Sequence, residues 1–124
     1  MAKSVMVVDD SKFMRNRIKE ALEGEELTVV GEAKDGDEAI ELYRELKPEL
    51  VTMDVTMRNT DGFTAAETIL NEFPEANLVL LTLREEEEKH FLEEAAKKLG
   101  IKAVILKPFK PDELKALILD ILGT

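Results

Sequence analysis

The chain has 124 residues, 44% of them hydrophobic, and a formal net charge of -10. That size and apolar content fit one globular domain with a real core, while the acidic balance, without a basic cluster, argues against nucleic acid. No apolar run is long enough to cross a bilayer, the start Met1-Ala2-Lys3 is no secretion signal and there is no cysteine, so a cytoplasmic protein without membrane contact, disulfides or thiolate metal sites is expected.

A short apolar run at 5–8 (VMVV) predicts a first strand, and it stops on two adjacent carboxylates, Asp9 and Asp10. Ser11 follows as a helix N-cap. Leu27–Ala33 (LTVVGEA) predicts a second strand, more polar and carrying Gly31, and so placed near an edge. Ala39, Leu42, Tyr43 and Leu46 recur at helical spacing, with Pro48 just beyond. Residues 50–53 (LVTM) lead into Asp54 as a third strand. Asp61-Gly62 reads as a plain turn, and Ala66, Ile69, Leu70 and Phe73 line a helix that ends before Pro74. Residues 78–81 (LVLL) predict a fourth strand running to Thr82. The acidic stretch 85–88 opens a helix, where negative charge complements the dipole, and Ala95, Ala96 and Leu99 carry its stripe to Gly100. Ala103–Leu106 (AVIL) predicts a fifth strand ending on Lys107, and Leu114, Leu117, Ile118, Ile121 and Leu122 form the face of a last helix. His90, the single histidine, reads as a surface residue, and the scattered methionines read as core.

Short strands that are mostly apolar are what a parallel sheet needs when helices cover both its faces. Five of them alternating with five helices predict one doubly wound α/β domain over 1–124. These patterns leave the strand order open. In such folds ligands bind at the carboxyl ends of the strands. If the strands are parallel, Asp9, Asp10, Asp54, Thr82 and Lys107 converge on one edge. Taken singly each has an ordinary explanation: a turn former, a cap, a loop hydroxyl, a solvated lysine. Taken together, three carboxylates ask for a hard cation such as Mg²⁺, and a hydroxyl and an ammonium suit the oxygens of a phosphoryl group.

VMVVDD, VTMDVTMRNTDG, VLLT and ILKPF, in that order and spacing, resemble the receiver domains of two-component response regulators, along essentially the whole chain. SKFMR and TMDVTM are most similar to the stand-alone chemotaxis regulators of that family. The resemblance implies a flavodoxin-like sheet of strand order 2-1-3-4-5. It implies that Asp54 is the phosphoacceptor and that Asp10 and Asp54 bind Mg²⁺ directly with the backbone carbonyl of Thr56, Asp9 acting partly through water. Thr82 would bond the acyl phosphate and Lys107 would pair with it. The implied donor is a sensor histidine kinase, and the implied reader is a downstream target protein such as the flagellar motor switch. A monomer is expected, and with nothing after the last helix no DNA-binding or enzymatic output domain is expected. Such a chain catalyses its own phosphorylation and dephosphorylation, yet acts as a signalling protein rather than a conventional enzyme.

Three positions depart from the family's pattern: Arg58 where proline is usual, Leu83 where a small residue follows the switch hydroxyl, and Val104 where the fifth strand commonly carries an aromatic ring. They leave open a receiver kept or engineered as a scaffold with impaired switching. A phosphatase of the haloacid dehalogenase type would want a second Asp at position 56, where this chain has Thr56. A flavin carrier would want a Ser/Thr/Gly-rich first loop in place of Asp-Asp-Ser-Lys.

Overall fold

The structure, a computed structural model, describes residues 2–57, 59–83 and 86–123, with the backbone alone for 86–88. Strands and helices alternate: β1 (Lys3–Val8), α1 (Lys12–Leu22), β2 (Leu27–Ala33), α2 (Gly36–Leu46), β3 (Leu50–Asp54), α3 (Gly62–Glu72), β4 (Leu78–Thr82), α4 (Glu86–Leu99), β5 (Ala103–Leu106) and α5 (Pro111–Ile121). The strands form one parallel sheet of order β2-β1-β3-β4-β5, the doubly wound arrangement that the residue pattern and the resemblance predict.

Successive strand residues face opposite sides of the sheet, so an unbroken apolar strand feeds two cores. Val5, Val7, Leu50, Val79 and Leu81 pack against Ile18 and Leu22 of α1 and Leu114 and Ile118 of α5. Met6, Val8, Val51, Met53, Leu78 and Leu80 pack on the other side, against α2, α3 and α4. Fully burying one such side chain stabilises the fold by roughly 1.5–3 kcal/mol. A one-residue slip of a central strand would exchange the two sets, so the register is fixed from both faces.

The second strand lies at the edge, as its polarity suggests. Its ladder with β1 shifts register between Val5 and Met6, where the pairing passes over Val30, an exposed residue. Two helix ends follow the sequence signals: Ser11 Oγ accepts from Met14 N, and Lys47 takes a left-handed φ of 44° just before Pro48. Asp35 caps α2 and Asp61 caps α3, two caps that the sequence reading does not assign. His90 is exposed, Met6 and Met53 lie in the core, and Met14 and Met57 pack partly buried against it. At the edge where the strands begin, Lys3, Ile121 and Leu122 line one hollow of about 430 Å³ together with Tyr43 and Phe73. Every strand points away from that end.

Candidate functional site

At the opposite edge the parallel register delivers the polar strand ends side by side. Asp9 directly follows β1, and its N–H continues the ladder by donating to Ala33 O at 3.1 Å. Its side chain is buried and fully engaged. Oδ1 accepts from Ser11 N at 2.9 Å, and Oδ2 accepts from Lys107 Nζ at 2.7 Å. Asp10, the next residue, is exposed. Asp54 is the last residue of β3, and only 7% of it reaches solvent. Thr82, the last residue of β4, is buried, and its carbonyl accepts from Lys107 N at 2.7 Å. Lys107 therefore enters the site held by its own backbone, ahead of a cis bond to Pro108.

Lys107 Nζ lies 2.7 Å from Asp9 and 3.2 Å from Asp54, with 5% of its side chain exposed. One ammonium bridges two buried carboxylates. Burial pushes the Asp54 carboxyl above the usual range, and the neighbouring charges of Asp9 and Asp10 add to this while Lys107 opposes it. One oxygen from each of Asp9, Asp10 and Asp54 can be chosen so that all three lie within 4.8 Å of one another. A hard divalent cation accepts oxygen ligands of this kind and spacing, directly or through one water. The donor set, three carboxylates offering hard oxygen ligands at close spacing, fits a cation here.

The sequence-predicted residues Asp9, Asp10, Asp54, Thr82 and Lys107 thus meet at one edge. Thr56 follows at the surface, two residues past Asp54. Leu83, just past Thr82, is 76% exposed, so it sits at the rim rather than in the core. Val104 is buried among the residues packed against α4. Arg58 and the first residue of the acidic stretch, Glu85, lie outside the described residues, as do the side chains of 86–88.

Two supports escaped the sequence reading. Arg15 on α1 donates Nη1 to the carbonyl of Asp9 at 2.7 Å and Nε to Glu32 at 3.0 Å, so α1, β2 and the Asp9 backbone are tied together. Lys19 and Arg15 hold the Glu32 carboxyl below the usual range. The second support corrects the reading of Asp61-Gly62 as a turn and no more. Gly62 N donates to Val55 O at 2.8 Å, and a Cβ on Gly62 would meet the carbonyl oxygen of Asp54 far inside van der Waals contact. Glycine is needed there because α3 starts directly against the backbone of Asp54.

A two-cored parallel sheet with an acidic cluster, a threonine and a buried lysine at its carboxyl edge defines a doubly wound α/β protein whose polar groups gather where such folds bind ligands. Residues 5–119 match the family of response regulator receiver domains. The chain is 41% identical over 122 residues to a chemotaxis protein CheY of Halobacterium salinarum, covering 98% of each chain. It is 40% identical over 119 residues to protein CcdB of Bacillus subtilis, covering 96% of this chain and 97% of that one. The isolated receiver domain of RcsB from Salmonella enterica, solved with phosphomimetic BeF3-, superposes with a TM-score of 0.83 at 27% identity, over 100% of this chain and 91% of that one. The chain belongs to the response regulator receiver family, and the similarity to chemotaxis regulators spans nearly its whole length.

Proposed function

We propose that Asp54 accepts a phosphoryl group from the phosphohistidine of a sensor histidine kinase, and that the modified chain then binds a downstream target. A carboxylate oxygen of Asp54 attacks phosphorus, the P–N bond breaks, and its electron pair leaves with the imidazole nitrogen. Mg²⁺, held by Asp9, Asp10, Asp54 and the Thr56 carbonyl, would neutralise charge on the phosphoryl oxygens. Lys107 Nζ, already 3.2 Å from Asp54, turns to the incoming oxygens, and the Thr82 hydroxyl donates to one of them. Hydrolysis by water later returns Asp54 to a carboxylate. Because the donor is itself reactive, alignment and charge compensation are what the protein must supply.

The single observation that carries this reading is the buried ammonium joining Asp9 to Asp54 at the carboxyl edge of the sheet. Support for a chemotaxis role, with a reader such as the flagellar motor switch, comes from the relatives named chemotaxis protein CheY. Support for phosphoryl uptake comes from the similar receiver domain studied with a phosphoryl mimic. The test is incubation with acetyl phosphate and Mg²⁺ followed by intact mass. A gain of one phosphoryl group that vanishes in Asp54→Asn is expected, and a gain that persists there would overturn the assignment.

A further inference from the structure

The segment between Asp54 and α3 is fastened at both base and tip. At its base Gly62 N donates to Val55 O, and Val55 N donates to Leu81 O at 3.0 Å. At its tip three hydrogen bonds reach across to the N-cap and first turn of α2. Asn59 Nδ2 donates to Asp35 Oδ2 at 3.1 Å, Thr60 Oγ1 donates to Asp37 Oδ1 at 2.6 Å, and Gly36 N donates to Thr60 O at 3.1 Å. A Cβ at Gly36 would drive into the Thr60 carbonyl, so the two turns touch backbone to backbone. Asp35 divides its carboxylate: Oδ1 caps α2 by accepting from Glu38 N at 2.8 Å, and Oδ2 holds Asn59. Asp35, Asn59 and Asp10 also line one polar cavity of about 430 Å³, together with Lys34. The tip contacts therefore sit beside the acidic cluster.

We propose that Asp35 is a positioning residue for the cation seat, acting through Asn59 to fix the segment that carries the Thr56 carbonyl. The inference rests on the Mg²⁺ reading above and deepens it. Without the Asp35–Asn59 bond the tip would keep only its two contacts at Thr60, one residue further from Thr56, and the Thr56 carbonyl would have to be ordered when the cation arrives. Mg²⁺ demands near-ideal octahedral geometry, so a wandering ligand weakens binding.

Charge and position can be separated by mutation. Asn59 has φ 61°, a conformation glycine adopts freely, so Asn59→Gly removes the tether without adding strain or changing charge. Asp35→Ser keeps a cap for α2 but cannot also reach Asn59. Asn77→Ala removes a bond from Asn77 Nδ2 to Glu49 O at the far end of the sheet and serves as a control for mere loss of stability. Mg²⁺ affinity of the folded chain would be measured by titration calorimetry, with no phosphodonor present. Asn59→Gly and Asp35→Ser should each weaken Mg²⁺ by about tenfold, the double variant by little more than either alone, and Asn77→Ala should leave affinity unchanged. If Asn59→Gly binds Mg²⁺ within about twofold of the parent, the charge of Asp35 rather than its tether matters and the proposal falls. A parent chain that takes up no Mg²⁺ overturns the metal reading itself, and is told apart from failure of the clamp, in which parent and Asn59→Gly bind equally well.

Discussion

Two carboxylates that are nearly out of water depend on one ammonium, and the consequences of removing it follow from burial. Lys107→Ala leaves Asp9 and Asp54 without their cation, and breaking a buried pair from one side costs about 3 kcal/mol. The same change removes a competitor for the metal. The melting temperature of the metal-free variant should therefore fall, while its rise on adding Mg²⁺ should exceed that of the parent; thermal unfolding with and without Mg²⁺ checks both. Asp54 brings a pH dependence of defined sign. A carboxyl whose pKa is raised in the folded state favours folding while protonated; that advantage is complete below the unfolded value near 3.8 and is lost as pH climbs through the folded one. Asp54→Asn should flatten stability across that window and raise the unfolding free energy at neutral pH, read by denaturant unfolding at a series of pH values. Beneath Asp54, two residues back on β3, the hydroxyl of Thr52 is buried without a hydrogen-bond partner among the described residues. Thr52→Val keeps the shape and removes the orphan, and should stabilise by about 1 kcal/mol in the same assay. The charged strand ends could be read from sequence because a carboxylate closing an apolar run needs a reason. Thr52 could not, since a threonine within such a run looks like any β-former. The partner of Arg15 was equally hidden, because a backbone carbonyl leaves no trace in residue type.

At the level of whole elements, α3 is packed so closely behind Asp54 that its first residue has no room for a side chain. Gly62→Ala must push the helix start or the strand end aside. A loss of about 2–3 kcal/mol is expected, the upper range for forcing extra volume into a packed site. Asp54 should move with it, so uptake of a phosphoryl group from acetyl phosphate should slow under conditions where the variant remains folded; stopped assays by intact mass would show this. The sequence reading places α3 and its apolar face correctly, yet treats 61–62 as punctuation. The difference is one of range. A helix face repeats every three or four residues and is visible locally, whereas the reason for this glycine lies eight positions away, in the carbonyl of residue 54. The contacts between Asp35 and Asn59 span 24 positions and are beyond any local pattern.

For the molecule as a whole, folding itself assembles the acidic cluster, so a cation that binds there stabilises the folded state alone. With a dissociation constant near 1 mM, 10 mM Mg²⁺ would contribute roughly 1.4 kcal/mol. The corresponding rise in melting temperature is about 5 °C for a domain of this size. Asp10→Asn should abolish that response and, without metal, melt slightly higher than the parent because a like charge has gone; calorimetric scans of the two proteins settle the matter. The layered architecture was legible for the same reason that it is stable: strands apolar on both faces can only be buried between helices. The order of the strands came from resemblance, since nothing in a run of valines and leucines says which neighbour it will choose.

The hollow shared by Lys3, Ile121 and Leu122 has a practical meaning. The first strand departs from it and the last helix returns to it, so both ends of the described chain hang from the side opposite the carboxylates. Anchored to a sensor chip by either end, the molecule would present its reactive rim outward to whatever flows past. Dyes attached at the two ends would sit close together and at the opposite edge of the sheet from Asp54, reporting on the integrity of the domain without touching the acidic cluster.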